Sequence, residues 1–73
     1  MPYHMNMTAK EFRAWRDRMG WSQQRVADAL DLSISTVKNY ELGFRRGSEE
    51  AAKVPRVVEM ACRLLELGRA AAE

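Results

Sequence analysis

Between Thr8 and Gly43 the residues that start and stop helices recur at intervals too short for any long helix, and this punctuation constrains the fold more than any other feature. Thr8 followed by Glu11 is a capping box, and Phe12, Trp15 and Met19 then repeat at helical spacing until Gly20. The spacing predicts a first helix over 9–19. Gly20 suits the left-handed position that ends a helix, and Ser22 caps a second segment, 23–30, whose apolar positions are Val26, Ala27 and Leu30. After the short link Asp31–Leu32, Ser33 caps a third helix over 34–42, with Val37 and Tyr40 on one side and Gly43 as its stop.

The remainder reads as two further helices. Ser48 opens a brief fourth one carrying Glu49 and Glu50, where the helix dipole favours acidic residues. Pro55 fits the first position of a fifth helix, 55–67, ended by Gly68. With no alternating β-branched run and no internal repeat, the expected fold is all-α, a compact bundle of five short helices. Residues 1–7 read as a flexible leader, 8–68 as the folded domain and 69–73 as a short tail.

Size and composition narrow the chemistry. Seventy-three residues make one small domain, which argues against an enzyme, and neither a nucleophile–base pair nor a pocket-sized scaffold is evident. One cysteine, Cys62, and one histidine, His4, cannot assemble a zinc site or an intrachain disulfide, so neither a cofactor nor a small-molecule ligand is expected. No apolar run is long enough for a membrane span and the start has no signal-peptide layout, so the expected location is the cytoplasm of a bacterial cell. A net charge of +2 is too small to identify a partner. The placement of the charges must do so.

The helices at 23–30 and 34–42 are joined so closely that they must cross steeply, leaving one face of the second exposed. At about 100° per residue, Val37 and Tyr40 fall on the buried side, whereas Ile34, Ser35, Lys38 and Asn39 span an outward arc of about 140°. These side chains suit a DNA major groove: Asn pairs with adenine, Lys with guanine, Ser with donors or acceptors, and Ile with a thymine methyl. The helix starts at Ser22–Gln23 and Ser33–Ile34 offer free backbone N–H groups to phosphates, and Arg45 and Arg46 follow in a basic loop.

The segment WSQQRVADALDLSISTVKNYELG resembles the helix-turn-helix of the phage lambda-repressor/Cro-like, or xenobiotic-response-element (XRE), regulators, and the likeness extends over 8–67. It rests on the Ser22–Gln23 start, the small Ala27, apolar Val26, Leu30, Leu32 and Val37, and the Tyr40–Glu41–x–Gly43 ending. The resemblance implies that Gln23 touches phosphate and braces the start of the reading helix. It places Ile34, Ser35 and Asn39 at base-contact positions, Thr36 and Arg46 on the backbone, and Arg16 and Glu41 in a structural ion pair. Two departures stand out. Asp31 occupies a turn position usually held by glycine, at a cost of roughly 1 kcal/mol, and Ile34 replaces a residue that is commonly polar.

Other prominent residues read as scaffold. Lys10, Arg13 and Arg18, interleaved with Glu11 and Asp17, form a solvated face. Trp15 and Trp21 belong to the core, Cys62 is a small buried hydrophobe, and His4 is a bystander. The 55–67 helix is apolar around more than half its circumference. One core needs a stripe of only about 100°, so the surplus on Met60, Leu64 and Leu67, or on Val58 and Cys62, points to a homodimer contact.

The expected function is a sequence-specific double-stranded DNA-binding regulator, a repressor that acts by occupying an inverted-repeat operator, in keeping with autoregulation in a phage, plasmid or other mobile element. The competing reading is an adaptor or antitoxin whose main partner is another protein. An RNA-binding module is disfavoured because single-strand readers present aromatics on a sheet.

Overall fold

The computed structural model describes residues 7–44, 47 and 51–72. Four helices run through them: α1 (Ala9–Met19), α2 (Gln23–Leu30), α3 (Ile34–Leu42) and α4 (Arg56–Ala72). The first three keep the boundaries their caps predict. In the capping box before α1, the Glu11 amide donates to Thr8 Oγ1 at 3.1 Å and the Thr8 amide to Glu11 Oε1 at 2.9 Å. Ser22 Oγ accepts from the Arg25 amide at 3.0 Å, and Ser33 Oγ from the Thr36 amide at 3.1 Å. Each interaction satisfies a backbone donor that a helix start leaves without a partner.

The turn between α2 and α3 is closed by Asp31 in the left-handed region, φ 56° and ψ 45°. The next amide, that of Leu32, donates to the Ala27 carbonyl at 2.9 Å, so the chain reverses within three residues.

The fold is all-α, but among the described residues it has four helices where five were expected. Ser48, Glu49 and Glu50 lie outside the described residues, and 51–55 are not helical. Ala51 instead forms an isolated antiparallel bridge with Phe44, and the Ala52 amide donates to the Gly43 carbonyl at 3.2 Å. That pairing commits the backbone to an extended path, which Pro55 then enforces on Val54.

Gly68 does not end the last helix, which continues to Ala72. A glycine inside a helix costs about 1 kcal/mol relative to alanine, and here the following Arg69 and three alanines favour continuation. Arg69 also anchors the extension by donating from Nη1 to the Arg18 carbonyl at 2.8 Å.

The core gathers Phe12, Trp15 and Met19 from α1, Val26 and Ala27 from α2, Val37 from α3, Cys62 from α4, and Val54 and Met7 from the connecting chain. Met7, assigned to the leader by the sequence, is thus part of the packed interior. Trp15 lies at the centre: fully buried, it meets Phe12 and Trp21 at centroid distances of 5.6 and 6.0 Å, and its Nε1 donates to the Cys62 carbonyl at 3.0 Å. Trp21 is half-buried, with the Arg25 guanidinium 4.8 Å above its ring. Both tryptophans are scaffold. No helix among the described residues is long and apolar enough to cross a membrane.

Candidate nucleic-acid interface

α3 packs against both α1 and α2, and its sequence divides cleanly between an inner and an outer side. Val37 is fully buried, and Tyr40 sits edge-on to Phe12 at 5.6 Å; partial burial pushes its phenol above the ordinary range. Ser35 is exposed, while Lys38 and Asn39 are partly exposed. The described residues therefore leave Ser35 open to solvent and Lys38 and Asn39 partly so. Ile34 is half-buried against the core, so much of its side chain serves packing.

The C-terminal end of α3 is fixed by charge. Arg16 grips Glu41 with both arms of the guanidinium, Nε to Oε2 at 2.6 Å and Nη2 to Oε1 at 3.1 Å. Its remaining terminal nitrogen, Nη1, donates to the Trp21 carbonyl at 3.1 Å. The hydrogen bond to Glu41 raises the Arg16 pKa above its usual range, against the opposing effect of burial. Forked pairing of this kind fixes orientation as well as distance. The expected structural pair is present.

Gln23 braces a different end of α3 from the one the resemblance implied. Its Nε2 donates to Glu41 Oε1 at 3.2 Å, so it braces the end of α3 and not the beginning. The physical reason is that Glu41 is buried and Arg16 alone leaves Oε1 with room for a second donor. The beginning of α3 is held by Ser33 and Thr36, whose hydroxyls lie 2.8 Å apart. Ser22 caps α2 from an exposed position. Arg45, Arg46 and His4 lie outside the described residues.

The structure also chooses between the two candidate faces of α4. Cys62 is fully buried beneath Trp15 and Val58 is half-buried against the core, so neither forms an outer contact as the sequence allowed. Met60, Leu64 and Leu67 are 59%, 71% and 67% exposed, and Val57, which sequence reasoning passed over, is 76% exposed. Together these four follow helical spacing along one stripe.

One basic residue that the sequence placed on a solvated face is exposed and also lines a cleft. Arg13 borders an open cleft of about 390 Å³ together with Gln23, Lys38, Glu41 and Leu42. Its alternation with acidic neighbours made it look like ordinary surface. The available signal was its position three residues before Arg16, which puts it on the side of α1 that meets α3.

A helix-turn-helix domain model matches residues 9–73, nearly the whole chain. The chain belongs to the helix-turn-helix domain family. That assignment agrees with the XRE/Cro-like resemblance of the 21–43 segment and makes α2 and α3 the paired helices of the motif. Helix-turn-helix domains lay the second of these in the DNA major groove. Neither the curated proteins nor the solved structures gave a match.

Proposed function

We propose that this helix-turn-helix protein is a sequence-specific transcriptional regulator of the XRE/Cro type, a cytoplasmic repressor that binds an inverted-repeat operator as a homodimer. The observation that carries the reading is the open polar side of α3, with Ser35 and Asn39 outward while Val37 and the Arg16–Glu41 pair hold the opposite side. In a major groove Asn39 would pair with adenine and Ser35 with a neighbouring base edge, with the exposed part of Ile34 near a thymine methyl. Ser22, Ser33 and Thr36 lie at the helix starts, where hydroxyls and amides meet phosphates. Occupancy alone would block a promoter, with no catalysis and no cofactor.

The stripe Val57, Met60, Leu64 and Leu67 supports the dimer, because apolar side chains aligned on one face gain from being withdrawn from water. A two-fold pair would present its reading helices about 34 Å apart, one duplex turn. The same stripe also favours the second reading, in which another protein covers it and DNA binding is secondary.

Selection of bound duplexes from a random pool tests both. A recovered palindrome with half-sites one turn apart supports the proposal; recovery of no sequence preference refutes it. On the recovered duplex Asn39→Ala should cost about 1–3 kcal/mol and on a scrambled one far less. Equal losses on the two would rule out base reading by this residue.

A further inference from the structure

We infer that Arg13 and Lys38 form a phosphate seat beside the reading helix, so that Lys38 serves the DNA backbone and not, as the sequence indicated, a base edge. This deepens the DNA-binding reading above and rests on it. The cleft between α1 and the C-terminal half of α3 is lined by Arg13, Gln23, Lys38, Glu41 and Leu42 and is large enough, at about 390 Å³, for a phosphodiester with its water. Its one acidic group is already spent. Glu41 Oε2 is held by Arg16 Nε, and Oε1 by Arg16 Nη2 and Gln23 Nε2. Arg13 and Lys38, by contrast, have no ion-pair partner among the described residues. Two cations facing a cleft whose carboxylate is neutralised make a seat for an anion.

The helical wheel fixes which part of a duplex would fill it. Glu41, Lys38 and Leu42 occupy an arc of about 100° on α3, and Ser35 and Asn39 lie beyond its edge. Leu42, 47% exposed, supplies an apolar wall suited to a deoxyribose. A groove-bound α3 would therefore carry the sugar-phosphate edge along this arc while Ser35 and Asn39 face the bases.

The test is a salt titration of binding to two probes, the duplex recovered by selection and a mixed-sequence duplex of equal length. Loss of one phosphate contact lowers the slope of log K against log salt by about 0.9, which is about a 3–4-fold smaller loss of affinity over a fourfold rise in salt. Arg13→Ala and Lys38→Ala should each show this on both probes, and Arg13→Lys should restore the slope. Arg69→Ala, which removes the same charge from the far end of α4, should leave it unchanged. Normal wild-type binding with slopes unmoved by Arg13→Ala would overturn the seat and leave the DNA reading intact. So would an equal change in Arg69→Ala, or a Lys38→Ala loss confined to the selected duplex. A wild-type chain that binds neither probe would remove the parent reading itself.

Discussion

At the scale of single residues, Glu41 shows how a buried charge can serve geometry. It is 7% exposed, carries three hydrogen bonds, and joins α1, the start of α2 and the end of α3 at one carboxylate. Glu41→Ala would leave Arg16 partly buried without its anion. Breaking a fully buried pair costs 3–5 kcal/mol, and because Arg16 keeps some contact with water we expect about 2 kcal/mol here, read as a lower melting temperature. An unchanged melt would mean the pair is ornamental. Cys62 supplies a second case. Burial, reinforced by the nearby Glu59 and Glu66 charges, pushes its thiol up to about 12 from an ordinary 9.0. The folded state therefore retains a proton that the unfolded chain gives up above pH 9. The resulting stability is intact below that pH and declines as pH rises toward 12, by about 1–2 kcal/mol near pH 10.5. Comparing denaturant melts of the wild type and Cys62→Ala at pH 8 and pH 10.5 isolates this contribution, and equal pH sensitivity in the two would disprove it. Residues were unevenly legible in the sequence. Trp15 and Val37 declared themselves by periodicity, but Gln23 bonds to Glu41 on another helix and the cleft beside Arg13 is completed by residues of α3, which local pattern does not encode.

Among the elements, α1 to α3 were readable because each begins with a side chain that satisfies its own first turn and ends at a left-handed residue. Those signals lie within four residues of the boundary they set. The segment after Gly43 was less readable. Its path depends on the Phe44–Ala51 bridge, a pairing across seven positions, and the continuation of α4 past Gly68 depends on Arg69 reaching the Arg18 carbonyl. The Asp31 turn is a test of the local account. A non-glycine residue at φ 56° carries a penalty of about 1 kcal/mol, so Asp31→Gly should stabilise the protein by roughly that amount. In a domain of this size the gain corresponds to about 4–8 °C in Tm, measurable by calorimetry. A fall in Tm would show that the Asp31 side chain contributes more than its backbone costs.

For the molecule as a whole, the interior uses one side of α4 and leaves the other to solvent. Small domains bury a modest fraction of their surface, and a second copy is a common remedy. If the stripe is the dimer contact, Leu64→Glu should shift sedimentation from dimer to monomer with little change in helical content, and a monomeric wild type would refute the assignment. The sequence showed that α4 had apolar surface to spare but not where, since Cys62 and Leu64 are equally apolar on paper; the burial of Cys62 against Trp15 separates them.

That indole contact also has a practical side. Because the Trp15 N–H donates to a carbonyl of α4, the chromophore sits at the seam between the first and last helices. With Trp21, whose ring lies 6.0 Å away, replaced by Phe, its emission would be an internal gauge of whether α4 is seated while the side chains of α3 are altered one at a time.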